Sequence, residues 1–587
     1  MLNKNQKNAV KTKGDVIVVA GAGSGKTLVI QERVKEILKT KNATEILTIT
    51  FTNKAAKEMK ERIGNERVNT FTFHGWALSR LKKILEKSVL LGLNKDFDVV
   101  GEEDADEIIK FLTKNTDKDL NYRKIRTNIS KLKSKNIYDT LPNFKQLVLE
   151  KYDEKTFEIY ESYQSFLRRN NQADYDDILS YYLYLLDFGI ENPEISDVLV
   201  DEAQDMNEVQ KEIVRSLKRQ GKRLFLVGDY DQSIYGWRGS NALVMQELKN
   251  ELSLEMIELE ETYRFHQKIL ENSEKIIKKN ASRITKNTKT NVEIKGDVYY
   301  DEYRNDYNEG DEIAKKIKSL KTPREEIAIL FRSRNETKPV LQALEMEKID
   351  YVLKDKKANP FRQKEVEVAI SLIRIKEKRF NNLDILKILK GLGIVGDTAL
   401  DKIRDFIFKD KKPETVWNSL QKFRGENIDD LDGNSATILS GFKYVVDQLC
   451  LYNYEDMIEE VFTAFDVEKP EEEHPIWACF ENIEGEDIVD RIIQERESFD
   501  ELDEKIEGKV NVLTIHASKG LEFDDVFIPS VENFVFPRKP SEANWEEERR
   551  LLYVAATRAK NNVFISNAER RYIFGQETET GKSELIK

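Results

Sequence analysis

The sequence predicts an α/β protein with two parallel-sheet cores, each interrupted by a helical insertion. Three observations lead there. Short apolar runs break into glycine or acidic turns and then into helical periodicity, as βα units do: Val16–Ala20, Glu45–Thr50 (EILTIT) and Val198–Val200. The same alternation returns at Glu326–Phe331 (EIAILF), Val510–Thr514 and Asp525–Ile528. Two long stretches, about 78–172 and 370–507, instead lose their strand signals and carry Lys, Glu, Leu and Ile at helical spacing. At 587 residues the chain also exceeds what one core usually covers.

In chain order, Asp15–Thr27 reads DVIVVAGAGSGKT. A buried strand ends in a glycine-rich turn, and an amphipathic helix follows from Leu28 to about Lys39. This is the setting of a phosphate-cradling loop, where backbone N–H groups and a helix N-terminus face an anion. Lys26 would reach the β- and γ-phosphates of ATP or GTP, and the Thr27 hydroxyl would hold Mg2+. Ala20 stands where the strict GxxxxGK[ST] pattern has its first glycine. Val68–Phe73 is a third strand candidate. Leu199–Asp205 (LVDEAQD) places two adjacent acids at a strand's carboxyl end, where α/β folds keep their ligand chemistry. Asp201 would hold the metal and Glu202 would polarise the attacking water. Leu224–Gly239 (LFLVGDYDQSIYGWRG) follows a strand with an amide, Gln232, suited to sensing a phosphate, and with Tyr235, Trp237 and Arg238 on a glycine-flanked loop.

Composition narrows the classes. Hydrophobic residues are 40% and charged residues 34% of the chain, no run approaches membrane-span length, and the opening MLNKNQKNAVK has no apolar signal region. A cytoplasmic protein with no membrane partner is expected. Cys450 and Cys479 make no disulfide framework and, with His474, fail zinc spacing. A net charge of −12 argues against unspecific polyanion binding but leaves room for a local basic track. Lys124–Lys135 and Lys275–Lys289 are candidates, with a solvated helix face as the alternative for each.

Taken together, AGAGSGKT (Ala20–Thr27), TFTNKAAKEM (Thr50–Met59), TFH (Thr72–His74), DYDDIL (Asp174–Leu179), VDEAQD (Val200–Asp205), VGDYDQSIYGWRG (Val227–Gly239), TYRF (Thr262–Phe265), VNVLTIHASKGLEFDDVF (Val510–Phe527) and EEERRLLYVAATRAK (Glu546–Lys560) resemble, in order, the motifs of superfamily 1 helicases of the UvrD/Rep/PcrA type. The resemblance implies two RecA-like P-loop NTPase cores. Their expected limits are 1–85 plus 174–266 and 267–372 plus 508–587, with insertions at 86–173 and 373–507. It implies that Gln6 reads the adenine edge and Tyr263 stacks on its ring. Gly21, Ala22, Gly23, Ser24 and Gly25 would line the phosphates beside Ala20. Arg264 and Arg558 would be arginine fingers, Glu522 would hold the ribose, and Gln232 would report the γ-phosphate to the DNA site. Phe51, Tyr235 and Trp237 would stack on bases, with Thr52, Asn53, His74, Arg238 and His516 along the strand path.

Two departures stand out. Leu28 replaces the arginine that usually follows GKT, leaving one side of the adenine slot apolar. Gly391–Gly396 (GLGIVG) only approximates the Gly-Ile-Gly hairpin that touches duplex DNA. The chain ends soon after Lys560, which leaves no room for the nuclease domain some relatives carry. The expectation is an ATP- and Mg2+-dependent 3′→5′ translocase on single-stranded DNA and at single-strand/duplex junctions. It would act as a monomer or dimer on DNA, with a protein activator possible. Two alternatives remain at this point: a nucleotide-gated subunit of a phage-defence or nuclease-recruiting complex with little unwinding, and an RNA helicase of the same superfamily.

Overall fold

The computed structural model describes residues 2–86, 91–117, 119–133, 144–236, 240–241, 243–293, 296–354, 359–391, 400, 404, 446–464, 475–479, 488–489, 491–492, 495–496, 505–538, 544–573 and 576–587. The chain divides into two compact units. Unit 1 comprises Met1–Phe73, Leu185–Asp355 and Leu502–Lys587, and unit 2 comprises His74–Tyr184 and Lys356–Glu501.

Unit 1 carries two large sheets and a short parallel pair, Glu261–Thr262 with Lys289–Thr290. The first is built from β1 (Val16–Ala20), β2 (Ile46–Thr50), β3 (Asn69–Thr72), β4 (Asp197–Val200), β5 (Arg223–Gly228) and β6 (Glu255–Leu259), ordered β3-β2-β4-β5-β1-β6. Every pairing is parallel, with Val16 opposite Phe225 and Glu255. Parallel strands need crossover connections whose helices cover both faces. That is why β1, β2 and β4 read as unbroken buried runs rather than alternating ones. Among the helices beside them are α1 (Lys4–Lys11), α2 (Lys26–Leu38), α3 (Asn53–Ile63) and α4 (Glu208–Arg219).

The second sheet contains β7 (Val298–Asn305), β8 (Ile327–Phe331), β9 (Tyr351–Leu353), β10 (Val510–Thr514), β11 (Phe523–Ile528), β12 (Ala559–Ile573) and β13 (Gln576–Glu579). Its order is β7-β12-β11-β8-β10-β9, all parallel, and β13 adds antiparallel to β12. Associated helices include α5 (Gln267–Ile277), α6 (Asp306–Ser319), α7 (Lys338–Met346) and α8 (Trp545–Ala556). Sequence periodicity missed β6, β7, β9, β12 and β13. Tyr, Asp, Glu and Asn in β7 and β12 break the apolar run, so only pairing with neighbours makes these segments strands.

Unit 2 is mainly helical. Its helices include Glu102–Thr116, Tyr122–Lys133, Glu154–Arg169, Lys364–Lys376, Asn382–Gly391 and Tyr454–Ala464, and a short parallel pair joins Asp98–Val100 to Gln172–Asp174. Both helical stretches of the sequence contribute to one core, with Ile108, Ile129, Tyr163, Leu372 and Ile388 in the same buried cluster. At its edge Arg374 bonds Asp98 (2.7 Å) and Asp384 (3.0 Å). Lys133 is buried between Asp174 (2.7 Å) and Asp177 (2.8 Å).

Candidate nucleotide-binding site

The segment Gly21–Gly25 turns between the end of β1 and the start of α2. Gly23 (φ 72°) and Gly25 (φ 80°) lie in the left-handed region. A Cβ on Gly23 would stand 2.5 Å from Arg264 Cβ and 2.7 Å from Thr262 Oγ1, so glycine is required there twice over. The loop is strapped from outside: Thr262 Oγ1 donates to the Ala22 carbonyl (2.8 Å) and the Tyr263 N–H donates to the Gly23 carbonyl (2.9 Å). Ser24 Oγ donates to the Gly21 carbonyl (2.8 Å). The first-turn N–H groups of α2 have no intrahelical acceptors and point into this concavity, which suits a phosphate.

Two acids follow β4. Asp201 stays in register with β2 through its N–H to the Ile49 carbonyl (2.8 Å), and Glu202 adopts φ 49°. A left-handed glutamate is strained by about 1–2 kcal/mol, and the turn aims its carboxylate at Lys26 (Nζ to Oε1 3.3 Å). Burial and the neighbouring Glu202 raise the Asp201 pKa. Burial also acts to raise that of Glu202, but Lys26 and Lys519 overcome it and hold this carboxyl ionised. The two adjacent carboxyls are thus pushed in opposite directions, Asp201 up and Glu202 down. Mg2+ is ordinarily held by one or two carboxylates together with phosphate oxygens and water. Thr27 and Asp201 are the residues present for it.

Residues of the second sheet complete the site. Arg558, immediately before β12, is 2% exposed and donates to the Val554 carbonyl (3.1 Å), the Leu521 carbonyl (3.3 Å) and Gln232 Oε1 (3.1 Å). Burial, then the nearby Arg264, lower its pKa to about 9. Arg264 donates to Glu522 Oε2 (2.9 Å) and to the Thr557 carbonyl (3.1 Å). Lys519 pairs with Asp205 and donates to the Gln232 carbonyl (3.1 Å). Gln204 joins the acids together, donating to Glu202 (2.5 Å) and Asp205 (3.1 Å) while accepting from the Asp229 N–H (2.9 Å). Lys26, Glu202, Gln232, Arg264, Glu522 and Arg558, far apart in sequence, therefore meet in one unit.

On the expected adenine side Gln6 is buried, donating to the Ser24 carbonyl (3.0 Å) and accepting from the Asn3 N–H (2.9 Å). Asn3 caps α1 and donates to the Tyr263 hydroxyl (2.9 Å). Tyr263 is 50% and Leu28 42% exposed, two flat or apolar surfaces still open to solvent. Phe51 and Tyr235 stack on each other at 4.9 Å, with His516 6.1 Å and Lys519 5.1 Å from the Tyr235 ring. Thr52 caps α3, with Asn53 as its first residue. His74 belongs to unit 2, edge-on to Tyr175 at 5.8 Å. Trp237 and Arg238, and Leu392–Gly396 of the hairpin-like motif, lie outside the described residues.

Some cations of the two basic tracks face inward. Lys133 turns inward to Asp174 and Asp177, while Lys286 and Arg283 turn inward to Asp229 and Asp231. These three cations are neutralised in the fold and are not on offer to a strand. Sequence reasoning also missed Asn3, Gln204, Asp205, Asp229, Thr262, Lys286 and Lys519. Gln204 and Asp205 sat inside a motif already singled out, and Lys519 in the turn after a strand was a readable signal. The contacts of Asn3 with Tyr263 and of Lys286 with Asp229 and Asp231 span more than fifty residues and left none.

Residues 2–253 match the family described as the UvrD/REP helicase N-terminal domain, and residues 257–570 match the UvrD-like helicase C-terminal domain. The chain is similar to the ATP-dependent DNA helicase PcrA of Bacillus subtilis, at 30% identity across 100% of this chain and 85% of the relative. It is also similar to the ATP-dependent DNA helicase Rep of Buchnera aphidicola (30%; 98% and 96%) and to DNA helicase II of Rickettsia typhi (32%; 100% and 94%).

Proposed function

We propose a function that proceeds from one premise: the chain belongs to the UvrD/Rep helicase family and is an ATP-dependent DNA helicase. Beyond that premise, we read it as a 3′→5′ translocase on single-stranded DNA that opens duplex ahead of it. The polarity is what the family resemblance implies; the observation that supports coupling of hydrolysis to movement is the contact of Arg558, from the second sheet, with Gln232, from the first, at 3.1 Å beside Lys26 and Glu202. A guanidinium that reaches the phosphate site only when the two sheets close makes hydrolysis report on closure. The working division is a first core of 1–85 plus 174–266 and a second of 267–372 plus 508–587, with 86–173 and 373–507 inserted.

In this reading Lys26 and the loop N–H groups hold the phosphates, and Glu202 accepts the proton of the attacking water. Thr27 and Asp201 would hold Mg2+, which when bound neutralises developing charge on the phosphate oxygens. Arg264 and Arg558 stabilise the transition state; an arginine finger supplies roughly 10³–10⁵ in rate. Tyr263, braced by Asn3, offers a face for adenine, Gln6 its remaining amide valences, and Glu522 a carboxylate for the ribose. The stacked Phe51 and Tyr235 give a base a place to insert. Stacking one base is worth about 1–3 kcal/mol, similar to the ~1.4 kcal/mol of a base-pair step, so opening and closing such a pocket can move a strand by one base.

The test is strand displacement with ATP on 3′-tailed and 5′-tailed duplexes, in DNA and RNA forms. Unwinding of the 3′-tailed DNA alone is expected. Activity on the 5′-tailed substrate overturns the polarity, and equal activity on RNA overturns the choice of strand. DNA-stimulated ATPase with no displacement at stoichiometric protein moves the reading to a nucleotide-gated subunit.

A further inference from the structure

Lys286 lies outside the motifs described above, in the segment between α5 and Lys289–Thr290, which pairs alongside Glu261–Thr262. It is buried, with its ammonium bonded to both Asp229 and Asp231 and Arg283 reinforcing Asp231 at 2.9 Å. Burial works against its charge, yet the two carboxylates more than offset this and keep it protonated. The segment is pinned to α8. Glu546 accepts the N–H groups of Ala281 (2.8 Å) and Ser282 (3.1 Å), and Arg550 donates to the Ser282 carbonyl (2.7 Å). α8 ends two residues before Arg558. One helix therefore anchors the Lys286 segment and leads directly into the residue whose guanidinium meets Gln232.

Asp229 stands between these two cations. Its Oδ1 takes Lys286 and the Asp231 N–H (3.1 Å), and its Oδ2 accepts from Gln232 Nε2 (2.7 Å). The other end of that amide, Oε1, accepts from Arg558. A carboxylate only accepts and a guanidinium only donates, so the partners fix which way the Gln232 amide faces. We infer that Lys286 is a positioning residue for ATP hydrolysis: together with the Asp231 N–H it holds one oxygen of Asp229 in place and leaves the other to hold the Gln232 N–H, which turns the amide oxygen toward Arg558. Resting on the reading of the nucleotide site above, this makes Gln232 an acceptor that seats the finger. A change in the Lys286 segment then reaches the phosphate site through two hydrogen bonds.

The test uses the full chain with steady-state, DNA-stimulated ATPase. Lys286→Met should lower kcat about 10- to 100-fold, the scale of a mispositioned group, with KM for ATP moving less than about threefold; Lys286→Arg should recover most of the loss. The double variant Lys286→Met/Gln232→Ala should be no slower than Gln232→Ala alone, because both act on one amide. Losses that multiply overturn the inference. If Gln232→Ala leaves turnover unchanged, it is the reading of the nucleotide site that fails, a distinct result. Should Lys286→Met not fold, Asp229→Asn asks the same question isosterically. It keeps an acceptor for Lys286 but faces Gln232 with an N–H, turning the amide around, so kcat should fall with KM for ATP unchanged. Wild-type kcat in Asp229→Asn overturns the inference.

Discussion

Replacing Gly23 by alanine tests whether the phosphate loop is held by residues far along the chain. The left-handed backbone (φ 72°) costs an alanine about 1–2 kcal/mol. The new methyl would meet Arg264 Cβ at 2.5 Å and Thr262 Oγ1 at 2.7 Å, and relieving such overlap typically costs about 1–3 kcal/mol. The sum, roughly 2–5 kcal/mol, would be relieved by loosening the two bonds that strap the loop, those of Thr262 to Ala22 and Tyr263 to Gly23. Titration with a fluorescent ATP analogue should show affinity weakened by about 30-fold or more, at tenfold per 1.4 kcal/mol. The Tyr263 amide should lose hydrogen-exchange protection in parallel. Gly21→Ala is the control, since its Cβ would meet nothing closer than Thr288 Oγ1 at 3.5 Å; its ligand-free fold and Tyr263 protection should match wild type. If Gly23→Ala binds the analogue within about threefold of wild type and keeps the Tyr263 amide protected, the strap has no role.

Other expectations follow from the same contacts. Lys26→Ala should abolish ATP turnover while leaving single-stranded DNA binding, measured by anisotropy, intact; residual turnover above about 1% would remove Lys26 from the phosphate site. Arg264→Ala, which cuts the bonds to Glu522 and Thr557, should lower DNA-stimulated kcat by about 10³-fold or more, and Glu522→Ala should cost turnover far less while raising KM for ATP. Lys133→Met leaves Asp174 and Asp177 buried without their cation, a loss of about 3–5 kcal/mol in unit 2. Melting should reveal a destabilised transition, with the ATP affinity of unit 1 unchanged.

Much of the fold was legible because its signals are local. Glu45–Thr50 and Val510–Thr514 are buried from both faces, so their apolar runs declare them strands, and GSGKT carries its own turn and helix start. The polar β12 is a strand because β7 and β11 pair with it on either side, and no window of its own sequence says so. The two stretches read as separate helical insertions share one buried core, since burial depends on which apolar faces meet.

The sequence by itself determined the phosphate loop, the acids that follow β4 and the order of motifs that identifies the family. Each is a short pattern whose chemistry follows from spacing along a few residues. Only the tertiary structure decided which charges face a ligand and which face each other. Lys286 and Lys133 read like surface cations, yet both are buried because carboxylates 41 or more residues away close around them. Arg558 and Gln232, 326 positions apart, touch only because two sheets bring their loops together. Pairing of charge is a property of distance in space, which spacing along the chain does not encode.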